Sequence, residues 1–360
     1  MIPQFEPSFD AADLKSLFNE YFDSGGWMTE FKKTAELEDL IKDFLGVKHC
    51  FMVNNGTISL SLALLAVGVK PGDEVLVPDL TMIATPNAVR LIGAVPILVD
   101  VDPVNLCMDL DKAYNLVSNR TKAFIYVTLH GRSANLSDMR EFSFQLKLHH
   151  ISDDAQSFGS RYPNGDRIGR SGDVSSFSFS MPKIITTGQG GCLVTNDDEL
   201  AYRIKKLKDF GRTGGGLDVH DEFGINCKFT EMQALVGLSQ FKDINARIAQ
   251  KRLMFNMYRA HLKNVPQVTI LDTDLSYVTP WFMDVYVDER DNLAKFLLAS
   301  GIKTRAIYPP IHSQKCYDVA EDFPVAIKAA SRGIWLPSSL SLKDDEILFI
   351  CDKIKEFFTL

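Results

Sequence analysis

Ser178-Phe179-Ser180-Met181-Pro182-Lys183-Ile184-Ile185-Thr186-Thr187-Gly188-Gln189-Gly190-Gly191 decides how the rest of this chain is read. Lys183 sits just beyond an apolar, β-prone run, Val174 to Phe179, and a glycine-rich turn follows it. A strand end is a fixed platform, and a lysine there can be partly desolvated. Desolvation disfavours the ammonium form and leaves an amine that can attack a carbonyl, as a Schiff base requires. Taken alone, such a lysine reads as an ordinary loop residue. The segments around it change that reading.

Upstream, strand and helix patterns alternate from about residue 35 to 245. Helices are predicted over Ala35–Leu45, Thr57–Val67, Ala84–Ile92, Leu110–Val117 and Ser137–Leu148. Strands are predicted over Glu74–Pro78, Val95–Val101, Ala123–Leu129, His150–Ser152 and Ser175–Phe179. This alternation predicts an α/β fold with a mainly parallel sheet flanked by helices, which binds ligands at the carboxyl ends of its strands. Beyond Leu200 the pattern turns helical: Leu200–Leu207, Thr230–Phe241 and Asp243–Leu262. Arg212-Thr213-Gly214-Gly215-Gly216 reads as a mobile loop. A strand over Tyr277–Val287 and helices over Asn292–Leu298 and Asp344–Phe358 predict a smaller C-terminal α+β domain. The expected division is 1–245 and 246–360, with the N-terminal segment contributing to the active-site entrance.

Composition narrows the function classes. With 360 residues the chain is too long for one small core. Its 46% hydrophobic and 24% charged content suits a globular enzyme. A net charge of -7 argues against nucleic-acid binding, which needs basic surface. Cys50, Cys107, Cys192, Cys227, Cys316 and Cys351 are scattered, with no CxxC pair, so free thiols are expected and no metal site. His149-His150 reads as structural. The chain starts without a signal-peptide pattern and contains no membrane-length apolar run, so a cytoplasmic enzyme off the membrane is expected.

Four signals fall at strand ends. Asn54-Asn55-Gly56-Thr57 opens an apolar helix whose N–H groups and dipole suit a phosphate; an ordinary N-cap would look the same. Asp153, after a buried strand, could pair with a cationic ring nitrogen. Ser178 could add a hydroxyl to the phosphate, and Lys183 could form the Schiff base. Together they make up the kit of a pyridoxal 5′-phosphate enzyme, in which Asp153 keeps the ring nitrogen protonated and Lys183 shuttles a proton.

At this point the chain resembles the DegT/DnrJ/EryC1/StrS family of sugar aminotransferases, within fold type I of the pyridoxal phosphate enzymes. The resemblance runs from about Pro3 to Phe358. It rests on Asn55-Gly56-Thr57, Val77-Pro78-Asp79-Leu80-Thr81, Gly93-Ala94-Val95-Pro96, Asp153 through Gly159, Phe177-Ser178-Phe179, Ile185 through Gly191, Gly224 through Ala234, and Gly301 through Arg305. It implies that Lys183 bonds the cofactor and that Asp153 faces the pyridinium. Gln156 would contact the ring hydroxyl, and Gly56, Thr57 and Ser178 the phosphate. Asn226 would reach the phosphate of a neighbouring subunit, in a homodimer with shared active sites. Met82 takes the place of the usual ring-stacking aromatic residue, and a thioether can pack on a ring.

Further departures are Met181-Pro182 before the lysine, Thr128-Leu129-His130-Gly131, and a short entry loop, Gly25-Gly26-Trp27-Met28-Thr29. They surround the substrate mouth, where Arg305, Tyr308 and His312 are candidates. The expected reaction carries an amino group from glutamate to a nucleotide-linked 4-keto-6-deoxy sugar, as in perosamine synthase-like members, for surface polysaccharide. The alternatives are a non-nucleotide keto sugar or a small phosphorylated ketone as acceptor, or an inactive regulator of the same fold.

Overall fold

Seven strands in the order β1-β7-β6-β5-β4-β2-β3 form the main sheet of the computed structural model, which describes residues 1–214 and 217–359. The strands are β1 His49–Val53, β2 Glu74–Pro78, β3 Val95–Val99, β4 Thr121–Val127, β5 His149–Asp153, β6 Val174–Ser178 and β7 Gly191–Thr195. The run β6-β5-β4-β2-β3 is parallel, and β7 lies antiparallel between β1 and β6. The central parallel strands are buried along most of their length, as in a sheet covered by helices, although β5 and β6 carry several polar residues.

The helices of this part are α1 Ala11–Asp23, α2 Lys32–Leu45, α3 Gly56–Ala66, α4 Ala84–Leu91, α5 Leu110–Tyr114, α6 Leu136–Leu146, α7 Asp198–Lys208 and α8 Glu231–Phe241. A 3₁₀ turn spans Leu129–Gly131. Helix α1 went unread in the sequence, and so did two strands of this sheet, β1 and β7. Each strand is five residues long, and Gly191 at the start of β7 looks like the continuation of a turn. Gly215 and Gly216 of the expected mobile loop lie outside the described residues.

A second sheet, β8 Met283–Tyr286, β9 Arg305–Ala306 and β10 Gly333–Leu336, is antiparallel in the order β8-β10-β9. Around it lie α9 Ile244–Leu262, α10 Arg290–Ala299, α11 Pro324–Arg332 and α12 Asp344–Phe357. The strand expected over Tyr277–Val287 starts only at Met283. Residues 277–281 are spent instead on contacts with the large sheet's loops: the Tyr277 carbonyl accepts from Arg161 N–H, and Thr279 N–H donates to Ser160 Oγ. The N-terminus crosses to this smaller unit, where Ile2 bridges Ile302. No described helix is long and apolar enough to cross a membrane.

Candidate active site

The carboxyl ends of β1, β2, β5 and β6 open into one cavity of about 360 Å³. Its lining includes Asn55, Gly56, Thr57, Met82, Asp153, Gln156, Ser178 and Lys183. Six expected cofactor residues from distant parts of the sequence, together with the half-buried Lys183, therefore meet in one place.

The phosphate end forms where β1 turns into α3. Asn55 caps the helix, its Oδ1 accepting from Ile58 N–H at 2.9 Å. That leaves the first-turn N–H groups of Gly56 and Thr57, both on the cavity wall, without a backbone acceptor among the described residues. Gly56 is in tight contact: a Cβ there would lie 3.0 Å from Ser178 Cβ. Gly191 presses equally close, and a Cβ on it would lie 2.8 Å from the Gly56 nitrogen. The two glycines let β6, β7 and the α3 N-terminus converge on an anion-sized cradle.

The ring end is built around β5. Strand alternation sends Asp153 and Asp154 to opposite faces. Asp153 faces the cavity; Thr85 Oγ1 donates to its Oδ2 at 2.7 Å and Ala155 N–H to its Oδ1 at 3.2 Å. Burial raises its pKa, against the pull of those hydrogen bonds and of Lys183. Asp154 turns inward, accepts from Ser152 and Thr128, and is pushed up to about 7 by burial. Gln156 is oriented through its carbonyl: Oε1 accepts from His130 N–H at 3.0 Å, which leaves its amide NH₂ as donor toward the cavity. Met82 also lines the cavity, at 45% exposure, with its thioether accepting from Ala84 N–H at 3.0 Å.

Burial lowers Lys183 to about 8, and Asp153 pulls it partly back. An amine poised there is deprotonated often enough near neutrality to bond a carbonyl or to move a proton.

The remaining candidates lie elsewhere. His312 belongs to a docking contact, not to the cavity lining. Its N–H and Nδ1 both bond the buried Asp79, at 2.8 and 2.6 Å, and its ring stacks on Phe323. Tyr308 is half-buried, edge-on to Trp335 at 4.9 Å, and its phenol is raised by burial and by the charge of Asp153. Arg305 is exposed, with its guanidinium 5.4 Å from the Trp335 ring. Asn226 is exposed and off the cavity wall; its Oδ1 accepts from Lys228 N–H. Thr85 was missed in the sequence, although Thr81 and Thr85 are spaced to face each other and do so at 3.1 Å. All six cysteines are free, and the described residues hold no cluster of metal-binding side chains.

The sequence profile of the DegT/DnrJ/EryC1/StrS aminotransferase family matches residues 10–355. The chain belongs to that family. It is 33% identical to a GDP-perosamine synthase of Vibrio cholerae and 34% identical to one of Escherichia coli O157:H7, over 99% of each chain in both cases. The solved structure of DesV from S. venezuelae, in complex with a ketimine intermediate, superposes with a TM-score of 0.91 at 30% identity, covering 96% of this chain and 94% of that one. The protein is a pyridoxal phosphate-dependent transaminase of fold type I. The residues present fit the cofactor: a glycine cradle with two unpaired N–H groups, a buried carboxylate and a depressed lysine share one cavity.

Proposed function

We propose that this sugar aminotransferase carries the amino group of glutamate to a GDP-linked 4-keto-6-deoxy sugar, supplying an amino sugar for surface polysaccharide. The observation that carries this reading is likeness to GDP-perosamine synthases over 99% of both chains.

Bound pyridoxal phosphate supplies an electron sink that stores the amino group between donor and acceptor. Gly56, Thr57 and Ser178 would hold its phosphate, and Asp153 would accept a hydrogen bond from the protonated ring nitrogen. Gln156 would donate to the ring hydroxyl, and Met82 would supply an apolar contact to the ring. Lys183 Nζ takes the α-proton of the donor and later returns a proton to the sugar carbon that receives nitrogen. Asn226 serves the cavity of a second copy, which makes the working unit a homodimer. Arg305 and Tyr308, which stand beside Trp335 and off the cavity lining, are the side chains we assign to meet the sugar beyond the cofactor.

The test is a panel of GDP-, UDP- and dTDP-linked 4-keto-6-deoxy hexoses and non-nucleotide ketones, each incubated with glutamate and read by mass spectrometry. Amination of the GDP-linked sugar with formation of 2-oxoglutarate supports the proposal. Turnover confined to a non-nucleotide ketone would replace the acceptor while leaving the transaminase chemistry in place.

A further inference from the structure

Trp281 lies on the segment that leads into β8 and is 3% exposed. A buried indole N–H needs an acceptor. Trp281 finds one across the domain junction, donating to the carbonyl of Pro182 at 2.7 Å. Pro182 immediately precedes Lys183, and its ring already fixes its own φ. A hydrogen bond to its carbonyl therefore sets the peptide plane from which the Lys183 side chain departs. The same indole also offers its face: Lys183 Nζ lies 4.3 Å from the ring centroid, within cation–π range.

The indole cannot turn away. It stacks on Phe282 with centroids 3.9 Å apart, and meets Trp335 edge-on at 5.6 Å. Its backbone carbonyl accepts from the buried Lys251 Nζ at 2.9 Å. The charged and titratable groups facing Lys183 are Asp153 from the end of β5 and His130 from the 3₁₀ turn, with Arg132 and Asp284 behind His130.

We propose that Trp281 is a positioning residue that docks the Lys183 side chain whenever that side chain is not joined to the cofactor, through its ring face and its hydrogen bond to Pro182. The inference rests on Lys183 being the cofactor-bonding lysine and is independent of which sugar is aminated. The ring face favours the ammonium form and so works against burial; the N–H fixes direction.

The test uses the full chain loaded with pyridoxamine phosphate, in which Lys183 is untied. Trace acetylation with acetic anhydride from about pH 6 to about pH 10, read by mass spectrometry of the Lys183 peptide, gives its titration midpoint. Trp281→Leu removes face and donor; the midpoint falls by about 0.5 to 1 unit. Trp281→Phe keeps a face and loses the donor; the midpoint stays within about 0.3 unit while kcat of the glutamate half-reaction falls roughly tenfold at constant KM. An unchanged midpoint in Trp281→Leu, or wild-type kcat in Trp281→Phe, overturns the proposal. Phenylalanine fills most of the indole's space, so the second arm is readable even if the leucine variant does not fold. Neither readout uses a sugar, so failure on the sugar panel and failure here are separate results.

Discussion

The cavity around Lys183 and the junction around Lys251 hold the same two ingredients, a lysine whose pKa is lowered by burial and a buried aspartate, and put them to different uses. At the cavity, Lys183 is lowered to about 8 and faces Asp153, whose carboxylate is raised by burial and only partly bonded by the protein. At the junction, Lys251 is lowered by burial to about 7 and donates to the carbonyls of Trp281 and Ser338. Asp284 there is saturated: Arg132 NH2 donates at 2.7 Å, Tyr286 OH at 2.8 Å, and His130 Nδ1 lies at 3.1 Å. The Arg132 guanidinium holds Asp284 well below the usual carboxylate range, whereas burial raises Asp153. Depressing an amine by burial is therefore not what makes a reactive site. Reactivity needs an incompletely satisfied carboxylate and room for a ligand beside the amine, and only the cavity has both.

The largest expected difference between the two regions is chemical. Lys183→Ala should lower the glutamate half-reaction by at least about 10⁴-fold, or about 5.5 kcal/mol of barrier, and abolish reducible attachment of cofactor to protein. Stopped-flow turnover and mass spectrometry after borohydride treatment measure both. Activity within tenfold of wild type would erase the contrast between Lys183 and Lys251. The next effect is structural and belongs to the junction. Asp284→Ala leaves the Arg132 guanidinium buried without its partner and should cost about 3–5 kcal/mol in urea unfolding. Because Asp284 has a depressed pKa in the folded state, its contribution is present above about pH 4 and is lost as pH falls further; the variant should lose that part of the acid sensitivity.

The two regions were also unequally legible in the sequence. The cavity residues announce themselves because each is local to a strand end: Gly56 opens a capped helix, Asp153 closes β5, and Lys183 follows β6. Most of the helices and strands that were read came within a few residues for the same reason, since hydrophobic period is a local property; the strand expected from Tyr277 starts only at Met283. The junction is written in pairs that sequence spacing does not reveal. Arg132 meets Asp284 across 152 positions, and Trp281 meets Pro182 across 99. His312 shows the cost of local reading. Its segment suggested a substrate mouth, but Asp79, 233 positions away, takes both its N–H and its ring nitrogen. A buried tryptophan is one signal that could have been used, because its N–H must bond something.

The smallest expected effect isolates Lys251. A lysine whose folded pKa is about 7 and whose unfolded pKa is ordinary, about 10.4, binds fewer protons folded than unfolded across that window. Stability must then rise with pH through it, at no more than about 1.36 kcal/mol per unit, and the destabilisation is complete below about pH 7. Lys251→Met should flatten that rise, read as the wild-type minus variant difference in urea unfolding of the cofactor-loaded protein. Cys50 and Cys107 are raised by burial, Cys107 to about 11, so their ionisation in the unfolded chain opposes the rise above about pH 8.5. Both remain in the variant and cancel in the difference. Lys183 also titrates near 8 when untied, but it is joined to the cofactor in this experiment. A difference curve flat between about pH 7 and about pH 8.5 would mean that the two carbonyls hold the Lys251 proton as firmly as water does. The junction lysine would then be an ordinary ammonium that happens to be enclosed, and the cavity would contain the only depressed amine of the pair.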